Sequence, residues 1–139
     1  MTVCFISGHI DLTQDEFDSH YKDRILKSIQ ENASFVVGDA NGCDAMAQRF
    51  LSDCIGGELL PEIDRVRVYH MLKKPRNNVG FRTVGGFKSD EERDAAMTAA
   101  SDADIAWVRP GREKSGTAKN LRRRANKDCK LVDEIRGMF

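Results

Sequence analysis

Residues 35–44 read FVVGDANGCD, and this stretch decides the fold class of the chain. The apolar run at its start is typical of a strand buried on both faces, and the two glycines after it are typical of a tight turn. Beyond the turn, apolar residues recur at helical spacing through residue 55, and Gly56-Gly57 is predicted to end that helix. The pattern therefore predicts a strand, a glycine-rich turn and a helix.

The same alternation continues along the whole chain. Apolar strands are predicted at 3–6, 35–37, 66–69, 105–108 and 130–132, and capping boxes at 13–16 and 89–92 begin two of the intervening helices. Strands of continuous apolar character that alternate with helices form parallel sheets covered on both faces. We therefore expect residues 1–139 to form one Rossmann-like α/β domain, with a five-stranded parallel sheet in the order 3-2-1-4-5 and helices on both faces.

Composition excludes several classes of protein. The chain has 139 residues, and its 22 basic side chains balance 22 acidic ones, which excludes a globally basic nucleic-acid binder. The first residues lack the basic and apolar regions of a signal peptide, so a soluble cytoplasmic protein is expected. Cys4, Cys43, Cys54 and Cys129 form no Cys-x-x-Cys pair and are expected to be reduced and mostly buried. Neither a metal nor a cofactor is expected, since the three histidines lack ligand spacing.

Three predicted strands end in turns that suit an anion. These turns are Ser7-Gly8-His9, residues 38–44 and residues 110–117. Glycine allows close backbone approach, and the free N–H groups at the start of a helix bind phosphate. Ligands of parallel sheets bind at the carboxyl ends of the strands. The three turns therefore predict a site for a phosphorylated ligand.

Three motifs, in order, resemble the SLOG superfamily. Residues 38–44 are similar to its Gly-Gly-Ala-x-Gly-x-Asp turn, residues 93–97 (RDAAM) resemble the Arg-Asn-x-x-Met helix of the YspA-type branch, and Ser115-Gly116-Thr117 resembles its Gly-Thr turn. The superfamily also includes the DNA-processing protein A core and the lysine-decarboxylase-like phosphoribohydrolases. The resemblance spans roughly residues 3–132. It implies a Rossmann-like fold that binds nucleotides or nucleotide-derived ligands, with some members cleaving an N-glycosidic bond and others sensing the ligand.

The chain departs from the cleaving members at one point. Phosphoribohydrolases carry a glutamate shortly after the Gly-Thr turn, whereas residues 116–120 read GTAKN and the next carboxylate is Asp128. Such a reaction needs an acidic group beside the oxocarbenium-like centre. The candidates left for it are Asp39 and Asp94, while Asn120 can hydrogen-bond a ribose or phosphate oxygen. Whether the protein is an enzyme therefore stays open.

The leading hypothesis is a sensor or binding protein for a nucleotide, an ADP-ribose-like molecule or a related ribose phosphate. Asp39 is expected to accept a ribose hydroxyl, Asp44 to hold the second turn, and Arg76 and Arg82 to close over the ligand from a mobile basic loop at about 73–88. The expected ligand-binding residues are Ser7, Gly8, His9, Gly38, Asp39, Ala40, Asn41, Gly42, Asp44, Arg76, Arg82, Asp94, Met97, Arg112, Ser115, Gly116, Thr117 and Asn120.

Two other functions remain open. One is an N-glycosidase acting on nucleoside monophosphates or deoxyribonucleotides. The other is single-stranded nucleic-acid binding by the basic residues between 109 and 130, although those at 122–127 are expected to form a solvated helix face. A homodimer or higher homo-oligomer is expected, and the alanine-rich helix at 92–103 is the only hint of an interface in the sequence.

Overall fold

The computed structural model describes residues 2–55 and 64–137. Along the chain the elements are β1 (Val3–Ser7), α1 (Gln14–His20), α2 (Lys22–Gln30), β2 (Ser34–Gly38), α3 (Cys43–Ile55), β3 (Val66–Met71), β4 (Arg82–Phe87), α4 (Asp90–Ala99), β5 (Ala103–Ala106) and α5 (Gly116–Gly137). The predicted helix end at 56–57 lies outside the described residues.

The five strands form one parallel sheet in the order β4-β3-β2-β1-β5. This confirms the predicted α/β class. Strands β3, β2, β1 and β5 correspond to the predicted strands 3, 2, 1 and 4, and they lie in the predicted order. The fifth strand is a different segment from the predicted one, because β4 occupies the edge beside β3 while residues 130–132 belong to α5. Residues 117–136 contain no glycine or proline, so nothing in that stretch stops the helix.

The segment between β3 and β4 makes a parallel crossover without a helix. The prediction of a loop at 73–88 is therefore wrong for residues 82–87, which form β4. The two glycines in the β4 sequence RTVGGF are unfavourable in a strand, so the sequence pattern did not indicate one. The buried side chain of Gln48 on α3 supports the crossover. Its amide nitrogen donates to the carbonyls of Gly38 (2.9 Å) and Asn77 (3.0 Å), and its oxygen accepts from the backbone N–H of Val79 (3.2 Å).

Other element boundaries also differ from the prediction. The capping box is present at Thr13, but the helix that it begins breaks at Tyr21 into α1 and α2. Helix α4 ends at Ala99, before the predicted residue 103, and β5 begins at Ala103 rather than at residue 105. Tyr21 stands at the break with a φ of −123°, and its hydroxyl donates to the Ser7 carbonyl (2.7 Å) and accepts from the Trp107 N–H (3.0 Å).

Hydrophobic residues cover both faces of the sheet. Ile6 and Val37 belong to the larger core, which packs beneath α1, α2 and α3. The alternate positions Phe5 and Val36 point to the opposite face and pack with Met97 of α4. The alanine-rich helix α4 thus packs against its own sheet, and its role as an oligomer interface stays a prediction.

The four cysteines are free thiols, but only Cys4 and Cys43 are buried, whereas Cys54 and Cys129 are exposed. The expectation of mostly buried thiols therefore holds for two of the four. Within residues 2–55 and 64–137, no helix is long and apolar enough to cross a bilayer, and no group of three or more potential side-chain ligands could hold a metal ion.

We expect Tyr21→Phe to lower the free energy of unfolding by about 1–3 kcal/mol, because it removes the hydroxyl that bonds the Ser7 carbonyl and the Trp107 N–H. Urea unfolding at neutral pH measures this change. Tyr69→Phe is the control, because the Tyr69 hydroxyl makes no hydrogen bond to the described part of the chain, and it should cost no more than about 0.5 kcal/mol. Equal losses for both variants would contradict the role assigned to Tyr21.

Candidate ligand-binding cleft

A cleft of about 400 Å³ opens at the carboxyl edge of the sheet. It lies between the turns that follow β1 and β2, the crossover after β3, helix α4 and the beginning of α5. Its lining residues are Phe5, Ser7, Gly8, His9, Ile10, Ala40, Asp44, Arg76, Asp90, Arg93, Asp94, Met97, Arg112, Ser115, Gly116, Thr117 and Asn120. A parallel sheet places its ligand sites at this edge.

The cleft brings together most of the predicted site residues, but five of them do not line it. Gly38, Asp39, Asn41 and Gly42 lie in the β2–α3 turn without lining the cleft, and Arg82 begins β4, where it pairs with Asp64 (3.0 Å). Because parallel strands begin at the opposite edge of the sheet, Arg82 cannot close over this cleft. Its predicted lid role is wrong.

Four lining residues were missed by the sequence analysis: Phe5, Ile10, Asp90 and Arg93. Phe5 belongs to the strand predicted at 3–6, and it is both buried and part of the cleft wall. Asp90, Arg93, Asp94 and Met97 recur at helical spacing, so the prediction of Asp94 and Met97 could have been extended to the other two.

The first turn of α5 presents unpartnered backbone donors to the cleft. Ser115 occupies the position before the helix, where its hydroxyl accepts from the Ala118 N–H (3.2 Å) and its carbonyl from the Lys119 N–H (3.0 Å). Within the described residues the N–H groups of Gly116 and Thr117 have no acceptor. A Cβ built on Gly116 would meet no atom within 4 Å, so this helix end borders open space. The geometry suits an anion.

Ser7 supplies a second unpartnered polar group to the same cleft. It is only 5% exposed, and its Oγ has no hydrogen-bond partner in the described part of the chain. Buried hydroxyls are normally hydrogen-bonded. Ser7 lines the cleft, but its Oγ is covered by neighbouring atoms, so this hydroxyl reaches a ligand only after a local shift of the cleft wall.

Carboxylates of α4 form another part of the cleft wall. The Asp94 side chain is mostly buried, and its Oδ2 accepts from the Asn120 amide (3.2 Å), whose own oxygen accepts from Arg123 (2.6 Å). Asp90 is about half exposed at the mouth. The Asn120 side chain thus holds Asp94 in place, which differs from its predicted direct contact with a ribose or phosphate.

The buried guanidinium of Arg93 connects the carboxylates. Its Nη1 lies 2.6 Å from Asp39 Oδ1 and 3.2 Å from Asp90 Oδ1, and its Nη2 lies 2.9 Å from Asp94 Oδ1 and 3.9 Å from Asp44 Oδ2. One positive charge is thereby shared among four carboxylates. This cluster joins α4 to the β2–α3 turn beneath the cleft.

Asp39 is an internal anchor of the fold. Its Oδ2 accepts from the backbone N–H (2.7 Å) and Nε (3.1 Å) of Arg76, and its Oδ1 accepts from Arg76 Nη2 (2.9 Å) and Arg93. Burial by itself would raise the pKa of Asp39, but the bonds and charge of the two arginines outweigh it and lower the pKa to about 2. Both oxygens are therefore occupied by protein donors, which disfavours the predicted ribose contact and a catalytic role.

The arginines of the cleft are all paired within the protein. Arg76 bonds Asp39 and Asp90, and Arg112 donates to Asp11 (2.5 Å). Asn77, next to Arg76, donates to the Asp39 carbonyl (2.9 Å). The start of the crossover is therefore hydrogen-bonded to the β2–α3 turn, and mobility of this segment stays a prediction.

The His9 side chain connects the turn after β1 to the segment after β5. Its Nε2 accepts from the Arg109 N–H (2.9 Å), so the neutral ring carries its proton on Nδ1. Burial and the positive charges of Arg109 and Arg112 lower the pKa of His9. The Arg109 guanidinium in turn bonds Glu16 of α1 (2.7 Å).

The glycines of the second turn serve the fold rather than a ligand. Gly42 has φ of 71°, and a Cβ there would collide with the carbonyls of His9 and Ile10. At Gly38 a Cβ would collide with the Asp44 carboxylate. Gly116 is the predicted phosphate-site glycine that borders open space.

Part of the basic strip also has a structural role. Arg124 is buried, donates to the Ser101 carbonyl (2.8 Å) and pairs with Asp104 (3.1 Å). Lys127 donates to the carbonyls of Thr98 (3.2 Å) and Ser101 (2.6 Å) near the end of α4, where a cation complements the helix dipole. The predicted solvated face is therefore wrong for Arg124 and Lys127.

These features define an α/β domain of Rossmann-like architecture with a polar cleft at the carboxyl edge of its sheet. No protein-family profile, curated protein or solved structure matches the chain.

We expect Asp39→Asn to lower the free energy of unfolding at pH 7 by about 1–3 kcal/mol, because an amide cannot accept all four hydrogen bonds that Arg76 and Arg93 donate to the Asp39 carboxylate. The exposed Asp18→Asn is the matched control and should cost about 0.5 kcal/mol or less. Urea unfolding measures both variants.

The pH dependence of the same unfolding experiment tests whether the charge of Asp39 causes this difference in stability. The pKa of Asp39 is lower in the folded protein, so its contribution is present at neutral pH and disappears as pH falls from about 4 towards 2. The difference in unfolding free energy between the wild type and Asp39→Asn should shrink over that range. A difference that stays constant would contradict the ionic role of Asp39.

Proposed function

We propose that the protein binds a phosphorylated nucleoside or a related ribose phosphate in the cleft at the carboxyl edge of the sheet, as a sensor or ligand-binding protein. The observation that carries this proposal is the start of α5, where Gly116 and Thr117 line the cleft and their backbone N–H groups have no acceptor within the described residues. Such a helix end stabilises an anionic oxygen through hydrogen bonds and the helix dipole.

The paired arginines support a phosphate contact at this helix end rather than at a guanidinium. Arg76, Arg93 and Arg112 already bond carboxylates, so an anion bound to any of them would compete with an existing ion pair. Gly116 and Thr117 require no such exchange. This difference favours the beginning of α5 as the position of the phosphate.

The remaining walls suit a nucleoside. The carboxylates of Asp90 and Asp94 accept hydrogen bonds from hydroxyl groups such as those of ribose, and Phe5 and Met97 supply an apolar surface. A volume of about 400 Å³ falls within the usual range for small-molecule sites. A thermal-shift screen of nucleotides, nucleosides and ADP-ribose would find the ligands, since binding raises the melting temperature.

We expect Gly116→Val to weaken binding of adenosine 5′-monophosphate (AMP), or of the best ligand from the screen, by about tenfold or more, which corresponds to ~1.4 kcal/mol. The new side chain would fill space beside the N–H groups, and its Cβ meets no atom within 4 Å, so the melting temperature should hold. Calorimetric titration measures the affinity.

Gly137→Val is the matched control, because Gly137 ends the same helix and also borders open space. This variant should bind as the wild type does. Unchanged binding by Gly116→Val, with the ligand still bound by the wild type, would show that the phosphate lies elsewhere.

Asp94 supports a second candidate function, hydrolysis of an N-glycosidic bond. Its carboxylate lines the cleft, where it could stabilise an oxocarbenium-like centre in place of the missing glutamate. Chromatography of AMP and deoxyadenosine monophosphate after incubation with the protein tests this function. We expect any release of adenine to be abolished in Asp94→Asn; release that persists in this variant would exclude Asp94, and no release at all would leave the binding function.

Nucleic-acid binding is less well supported. Arg124 and Lys127 are engaged with the α4–β5 region, so the basic strip does not present all its charges to solvent. A gel shift with single-stranded oligonucleotides at several salt concentrations tests this alternative.

A further inference from the structure

Asp44 combines burial with a position in the cleft wall. It lies in the first turn of α3, its side chain is 8% exposed, and it lines the cleft. Its Oδ2 accepts from the Ala40 N–H (3.1 Å). Its Oδ1 makes no hydrogen bond within the described residues. Unlike the Ser7 Oγ, this oxygen is not fully covered by protein atoms, so it has access to the cleft.

Burial opposes the ionisation of Asp44, and the charges around it only partly offset that effect. Arg93 is the cation nearest to it, at 3.9 Å, beyond hydrogen-bond distance, and Arg93 already bonds Asp39 and Asp94. The negative charges that face Asp44 come from Asp39 in the β2–α3 turn and from Asp94 on α4.

The wider cluster contains more acids than bases. Asp90 also shares Arg93, and Arg76 in the crossover is bonded to Asp39 and Asp90. Four carboxylates therefore surround two guanidiniums. An anionic ligand entering this cleft would add to the negative charge, which favours a proton on the least compensated carboxyl group.

We propose that Asp44 meets the ligand as a neutral carboxylic acid and donates a hydrogen bond to one of its oxygens, so that binding requires a proton on Asp44. This inference rests on the proposed function of the cleft. Burial, reinforced by Asp94 and Asp39 and opposed by Arg93, raises the pKa of Asp44 to about 7. The proton is thus present in weakly acidic solution and is lost as pH rises above neutrality.

The experiment measures the affinity for AMP by calorimetric titration between pH 6 and pH 8.5. AMP phosphate itself titrates near pH 6 and His9 lies in the cleft wall, so the comparison is with Asp44→Asn, in which both of those groups remain. Asparagine keeps an oxygen for the Ala40 N–H and an N–H donor for the ligand, but it cannot titrate.

We expect the ratio of the wild-type to the Asp44→Asn dissociation constant to rise by about tenfold between pH 6 and pH 8, as one proton linked to binding requires. The exposed Asp18→Asn variant should keep the wild-type pH dependence. A constant ratio for Asp44→Asn, with AMP bound throughout, would overturn the inference and leave the proposed function standing. Failure of every protein to bind AMP or any nucleotide at any pH would overturn both.

A measurement on the ligand-free wild type tests the protonation of Asp44 even if the Asp44→Asn variant does not fold. Carbon-13 NMR of the aspartate carboxyl groups, with Asp44 assigned, follows its protonation directly. We expect Asp44 to keep its proton above pH 6, whereas titration below pH 5 would overturn the inference even if AMP binds.

Discussion

The guanidinium of Arg93 is the group on which the cleft depends. It is buried between α4 and the β2–α3 turn and lies within 4 Å of Asp39, Asp44, Asp90 and Asp94. A buried charge is stable only when it is compensated and hydrogen-bonded, so Arg93 and the carboxylates must be placed together. The Arg76 contacts to Asp39 and Asp90 extend the same requirement to the crossover after β3.

This cluster divides the cleft into two chemically different sides. The carboxylates lie on the side of α4 and α3, and the N–H groups of Gly116 and Thr117 lie on the side of α5. A ligand that matches both sides must carry an anionic oxygen at one end and hydrogen-bond donors at the other. A ribose phosphate has both groups, and because a hydroxyl both donates and accepts hydrogen bonds, the ribose can donate to Asp94 and accept from the protonated Asp44.

The sheet explains why two distant parts of the chain meet at the cleft. Strands β1 and β5 are neighbours and parallel, so the turn at Ser7 and the beginning of α5 after β5 share one edge. The Tyr21 hydroxyl joins the same two strand ends through the Ser7 carbonyl and the Trp107 N–H. The cleft is therefore held on one side by a neutral hydrogen bond network and on the other by ion pairs.

The sequence by itself determined the parallel α/β architecture and the edge that carries the cleft, because apolar strands and glycine-rich turns are local patterns. It also indicated Ser7, Asp94 and Gly116, since each follows a strand or stands in a recognisable motif. Only the tertiary structure decided that β4 is the edge strand and that residues 130–132 are helical, because strand pairing depends on contacts between segments far apart in sequence. It likewise decided that Asp39 and Arg124 are internal anchors and that Arg93 is the buried centre of the carboxylate cluster, since the role of a charged side chain depends on which opposite charges the fold brings within hydrogen-bond distance.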